Sequence, residues 1–152
     1  MYLPVGEPTR SSYERIEVES FFTETSDKAL VAQVRWFQSC LHVNDDFFSD
    51  MLNLEGRTFS RWKYGEGYLS NDKQKLLNEF WEMLLHVMSF YDYDLTSVRE
   101  LFQSEASRSS AVSPLDPPWT GTSLRNYLEK TGPSSIREAN RWIQTLRYAN
   151  WY

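Results

Sequence analysis

The chain carries one cysteine, Cys40, among 152 residues. An internal disulfide is therefore excluded, and a reducing, cytoplasmic setting is expected. Histidine is nearly as scarce: only His42 and His86 are present, and with a lone thiol they make no recognisable zinc site. Glycine and proline, six of each, are too few for a fibrous or wholly disordered chain. No apolar run approaches the roughly 20 residues that a membrane helix needs. The longest candidate, Phe80 to Phe90, is broken by Glu82, His86 and Ser89. The first ten residues hold Glu7 and Pro8 but no apolar core, which argues against a signal peptide. Excess positive charge is lacking too, and a net charge of −5 does not suit a general nucleic-acid coat.

What the chain has in quantity is aromatic bulk, with 9 Phe, 9 Tyr and 6 Trp to fill a core. Residues 1–25 are polar and acidic, with Glu14, Glu17, Glu19 and Glu24, and read as a mobile arm with a short ordered piece around Ile16 to Phe22. From Ser26 the pattern turns helical: Leu30, Val34, Phe37 and Leu41 recur at spacings of about four and three, with Ser26 or Asp27 to cap them. A short helix follows Asn44, burying Phe47, Phe48, Met51 and Leu52, and Asn53-Leu54-Glu55-Gly56 breaks it. The next runs from about Arg57 to Tyr64, burying Phe59 and Trp62, and stops at Gly65 or Gly67. A long helix after Ser70 or Asn71 carries two apolar ridges, Leu76-Phe80-Leu84-Met88 and Leu77-Trp81-Leu85. So wide a surface is more than one small domain readily covers, and it predicts a symmetric dimer. Asp94 is placed to cap a short helix through Phe102.

Residues 104–118 are rich in serine and proline and read as a linker or long loop. Beyond it, 119–152 holds two more helices. Leu124, Tyr127 and Leu128 mark the first, ended by Thr131-Gly132-Pro133, and Ser135-Ile136-Arg137-Glu138 has the form of a capping box for the second. The expectation is an all-α fold: a helix-turn-helix domain over 26–103 and a small helical domain over 119–152.

The unit from Asp45 to Tyr64 is the informative one. A helix-turn-helix needs a supporting helix, a tight turn and a second helix held by a few apolar residues. Here Leu52, Leu54, Phe59 and Trp62 supply the packing. Arg57, Thr58, Ser60, Arg61 and Lys63 supply an outward face whose guanidinium groups suit guanine edges and whose hydroxyls suit phosphates. Read from spacing alone, the same pattern also describes an ordinary helical hairpin with a solvated charged face. Over Leu54 to Lys75 five cations stand against Glu55, Glu66 and Asp72, a modest basic excess.

The stretch Phe48 to Gly65, above all Thr58-Phe59-Ser60-Arg61-Trp62 with Gly65, resembles the helix-turn-helix of Xre/Cro-type regulators. The continuation Tyr68-Leu69-Ser70, then Leu76-Leu77 and a long apolar helix, narrows the likeness to the Xre/MbcA/ParS-like antitoxins. Gly121, Leu124, Tyr127-Leu128, Gly132 and Ile136 to Leu146 resemble their C-terminal toxin-binding domain, although the family's proline is missing from Gly121-Thr-Ser-Leu124. The resemblance implies a dimer that binds its own operator DNA through Arg57, Thr58, Ser60, Arg61 and Lys63. It also implies a RES-type, NAD-degrading toxin as partner, occluded by the end of the chain: Arg147, Tyr148, Asn150, Trp151 and Tyr152. Tyr, Trp and Arg are independently the residue types enriched at interface hot spots; the same aromatics could equally dock on the domain's own core.

Catalysis finds little footing. No serine sits in a nucleophile motif, and Gly65-Glu-Gly67 lacks the rest of a phosphate loop. Asp45-Asp46 reads as the acidic first turn of a helix, and His86 as a core or dimer-interface residue. No catalytic residue, metal or cofactor is expected. The rival readings are a free-standing helix-turn-helix transcription regulator and an interaction module that has lost DNA binding.

Overall fold

The structure, a computed structural model, describes residues 13–106 and 116–149, with side chains as far as Leu146. Among them the fold is all-α. Its helices are α1 (Arg15–Phe22), α2 (Asp27–Leu41), α3 (Asp45–Met51), α4 (Gly56–Lys63), α5 (Asn71–Phe90), α6 (Leu95–Gln103), α7 (Leu124–Thr131) and α8 (Pro133–Ala149). Two isolated bridges, Glu105 to Ser123 and Ala106 to Thr120, bring the segment after α6 beside the start of α7. No helix among the described residues is long and apolar enough to cross a membrane.

The helices begin where small polar side chains can satisfy the first amides. Ser26, Asn44, Ser70, Asp94 and Ser123 each accept from a backbone N–H two or three residues on, at 3.1–3.3 Å. Of the alternatives open in the sequence, Ser26 and Ser70 are the caps, and Asp27 and Asn71 are the first helical residues. Helices α3, α4 and α5 end alike, each in a residue with left-handed backbone: Asn53 (φ 55°), Gly65 (φ 83°) and Asp92 (φ 54°). In each case the amide one residue further reaches back to a carbonyl of the last turn: Leu54 to Ser49, Glu66 to Arg61, Tyr93 to Met88. The end of α2 is closed from outside, by Arg99 and Gln103 of α6 donating to the carbonyls of Cys40 and Leu41.

One helix start differs from the sequence pattern. Helix α8 begins at Pro133, whose fixed φ and missing N–H suit a first helical position, so Ser135 lies already inside it. Ser135 is buried and donates to the Gly132 carbonyl, and the Glu138 carboxylate accepts from the Tyr127 hydroxyl. The capping box is therefore not formed.

The core is built around Phe37 of α2. Its ring lies 5.2–6.2 Å from those of Phe47, Phe48, Phe80, Trp81 and Phe102, which draws α3, α5 and α6 together. Edge-on packing of this kind adds about 0.5–1.5 kcal/mol per pair beyond area burial. The same cluster contains Leu124, Leu128, Ile136, Ala139 and Ile143, so α7 and α8 share it. Helix α7 packs on α3 and α6, and α8 lies along α5. The division expected between 26–103 and 119–152 thus gives way to one continuous core.

Two further expectations change for the same reason. The short ordered piece expected around Ile16 to Phe22 is α1, and the described part of the arm, 13–25, packs on the core where a mobile segment was expected: Tyr13, Val18, Phe21 and Phe22 are buried, and the Phe22 ring sits 5.3 Å from Trp36 and 5.0 Å from Trp81. Residues 1–12 of that arm, and 107–115 of the loop, lie outside the described residues. The two apolar ridges of α5 are covered within the chain: Phe80 meets Phe37, Phe47 and Phe48, Trp81 meets Phe22, Phe37 and Phe48, Leu77, Leu84 and Met88 are buried, and Leu76 and Leu85 are partly buried against the same core. The surface that predicted a dimer is therefore already occupied.

Candidate functional site

Helices α3 and α4 stand as a short pair across the turn Leu52–Glu55. Phe48 of α3 and Phe59 of α4 stack nearly parallel, 5.6 Å apart and 3° from coplanar, and Trp62 follows at 5.8 Å from Phe59. The turn itself is tied to α5, because the Lys73 ammonium donates to the Leu52 carbonyl at 2.7 Å. A cation at that point also complements the C-terminal end of α3.

The five candidate DNA-facing residues separate into two sets. Arg57, Thr58 and Arg61 are exposed, and the two arginines have no ion-pair partner among the described residues. Ser60 and Lys63 turn inward to Asp45. The Lys63 ammonium lies 2.6 Å from Asp45 Oδ1 and 2.9 Å from Gln38 Oε1, Ser60 Oγ donates to Asp45 Oδ2 at 3.2 Å, and Gln38 Nε2 donates to Asp45 Oδ1 at 2.8 Å. The ion pair is largely enclosed, with side-chain exposures of 11% for Lys63 and 28% for Asp45. Burial alone would raise the Asp45 carboxyl, but hydrogen bonds from Gln38 and Lys63, the Lys63 charge and the Ser60 hydroxyl hold it below its ordinary value. Lys63 is thus a fastener between α4, α2 and α3.

This changes the charge of the surface. Arg57, Arg61 and Lys75 are its exposed cations, set against exposed Glu55, Glu66 and Asp72. The basic excess counted along the sequence is halved once Lys63 is neutralised by Asp45, and the ammonium of Lys73 is turned to the Leu52 carbonyl. Any nucleic-acid contact of α4 rests on two arginines and a threonine. Asp45 is the residue that sequence reasoning placed only as an acidic first turn. The sign was there in the spacing: Lys63 is four residues after the inward Phe59 and shares its side of the helix.

The candidate partner-binding residues fall at or beyond the end of the described side chains. Arg147 and Tyr148 fall in the last turn of α8, beyond the described side chains, and Asn150, Trp151 and Tyr152 lie outside the described residues. His86 stands in the seam of α5 and α8, with Nδ1 2.8 Å from the Asn140 side-chain oxygen and 3.5 Å from Gln144 Nε2. Among the described residues no three of His, Cys, Asp and Glu gather as a metal site. No protein-family model, curated protein or solved structure matches the chain.

Proposed function

We propose that the protein is a non-catalytic binding protein that contacts duplex DNA through α4 and acts as the antitoxin of a toxin–antitoxin pair. The observation that carries the DNA half is the outward side of α4, where Arg57, Thr58 and Arg61 are exposed on a helix whose inward side is fixed by Phe59, Trp62 and the Lys63–Asp45 pair. Arg57 and Arg61 are one turn apart and project together, which is the spacing needed to meet neighbouring base edges. Ser60 and Lys63 serve that surface by positioning it. The antitoxin half rests on the resemblance of the sequence to the Xre/MbcA/ParS-like family. In that role the end of the chain, from Arg147 onward, enters and blocks the active site of a NAD-degrading RES-type toxin, and steric occlusion needs no catalytic group.

Two experiments test the two halves separately. Binding of the full chain to duplex DNA from its own upstream region, at one stated salt concentration, should weaken at least about tenfold in Arg57→Ala/Arg61→Ala. Equal affinity of the double variant removes α4 from the interface. Co-expression with a RES-type toxin encoded beside the gene should be tolerated with the full chain and lethal with Trp151→Ala/Tyr152→Ala; equal survival removes the tail from the inhibitory role.

A further inference from the structure

A cleft of about 590 Å³ opens between the first turn of α2, the end of α4 and the loop that follows it. Asp27, Lys28, Val31, Trp62, Tyr64 and Tyr68 line it. The loop is shaped by Gly65 (φ 83°) and Gly67 (φ 157°), backbone that side chains rarely adopt, and it sets Tyr64 and Tyr68 at the rim. Tyr64 is 66% and Tyr68 91% exposed, and apart from Ile16 they are the exposed large apolar side chains of the described residues. Two such rings at the mouth of one cleft are unusual on a surface where others are buried.

The Tyr64 ring is held although it is exposed, and the backbone beside Tyr68 is anchored. The Arg35 guanidinium lies 5.2 Å and the Lys63 ammonium 5.6 Å from the centre of the Tyr64 ring, and Arg35 also donates to the Lys63 carbonyl at 3.3 Å. Tyr68 is followed by buried Leu69, whose carbonyl accepts from Gln74 Nε2 at 2.9 Å. A ring placed in advance, as that of Tyr64 is, loses less freedom when a ligand arrives. The polar groups of the cleft are of both kinds. Asp27 is an acceptor that already takes Gln74 Nε2 at 3.2 Å, and Lys28 is an exposed cation.

We propose that this cleft binds a purine nucleotide. A flat base stacks on Tyr68 beside Tyr64, its exocyclic amine donates to the Asp27 carboxylate, and the phosphate meets Lys28. An aliphatic side chain of a peptide would fill the same space but use neither the faces of the rings, the carboxylate nor the ammonium. A purine supplies two aromatic faces together with donors and acceptors on its edge, and stacking on aromatic side chains is the usual way proteins hold an unpaired base. The proposal is independent of the arginines of α4.

The test uses the full chain titrated with AMP, GMP and adenosine, followed by calorimetry. Saturable binding of AMP or GMP is expected, weakened about tenfold or more in Tyr68→Ala, which removes the stacking ring from an exposed position and leaves the core untouched. Lys28→Met should weaken AMP but not adenosine, and Arg57→Ala/Arg61→Ala should bind nucleotide as the parent does. Circular dichroism confirms that each variant is folded. Absence of saturable binding into the millimolar range overturns the proposal. So does equal binding by Tyr68→Ala, or loss of binding in the α4 double variant.

Discussion

Replacing Lys63 by methionine keeps the aliphatic stem and removes the ammonium that joins α4 to Asp45 and Gln38. The loss can be scaled from the structure. The pair is 2.6 Å long and its partners are 11% and 28% exposed, so it lies between a surface bridge and a fully enclosed one. Exposed pairs contribute up to about 1 kcal/mol, and breaking a fully buried pair costs about 3–5 kcal/mol. After the substitution Asp45 still accepts from Gln38 and Ser60, which softens the damage. Lys63→Met should therefore cost about 2 kcal/mol. Urea unfolding followed by tryptophan fluorescence measures it, and Asp45→Asn with the double variant closes a cycle whose coupling should be about 1 kcal/mol or more. The pH dependence carries a sign. Because the Asp45 carboxyl is held below its ordinary value in the folded chain, its contribution is present at neutral pH and lost as pH falls through the folded value. The gap between parent and Lys63→Met should shrink below about pH 4. A cost under about half a kcal/mol, or a gap unchanged in acid, would refute Lys63 as a fastener.

Other outcomes follow from the same structure. Phe22→Ala should destabilise the fold by about 3–5 kcal/mol, since it empties the space between Trp36 and Trp81; a neutral effect in thermal unfolding would return residues 13–25 to the status of an arm. Leu84→Ala should cost about 2–5 kcal/mol whatever the protein concentration, because it is buried in the core of a single chain. A midpoint that rises with concentration would show that α5 meets a second copy instead. Cys40 is 1% exposed and burial pushes its thiol up to about 11, so it should resist a thiol reagent at pH 8 in the native chain and react in urea. Rapid native labelling would contradict that placement.

Much of this was legible in the residues, for identifiable reasons. Helix existence and most starts were readable because serine, asparagine and aspartate stand just before runs of apolar residues at helical spacing, and those caps act locally. The stacking side of α4 was readable from Phe59 and Trp62 in the same way. What escaped was long-range. The polar stretch after α6 looked like a boundary, yet Ile136, Ala139 and Ile143 of α8 close on α5, and nothing local announces which surface a helix will cover. Acidic residues masked Val18, Phe21 and Phe22, whose spacing already described an inward face. At Ser135 a local rule lost to a stronger neighbour, the proline two residues earlier. Of the candidate interface, Arg57, Thr58 and Arg61 kept their outward placement. Lys63 did not, because its partner lies 18 residues away in the chain.

The covering of α5 by α8 has a consequence for biosynthesis. The side of α5 that carries Glu79, Met83 and His86 is complete once Phe90 has been made, but α8, which meets it through Arg137 to Glu79 and Asn140 to His86, is added roughly fifty residues later, a wait of about 2–10 s at about 5–20 residues per second. For that interval the nascent chain offers Met83, which stands at helical spacing between Glu79 and His86 and is buried in the finished fold, without the helix that runs beside it. Such a window is where a holdase chaperone gains its grip and where two ribosome-bound copies can stick to one another. Slow translation between α6 and α8 should therefore lower the yield of folded protein, even though the finished chain leaves no trace of that exposed face.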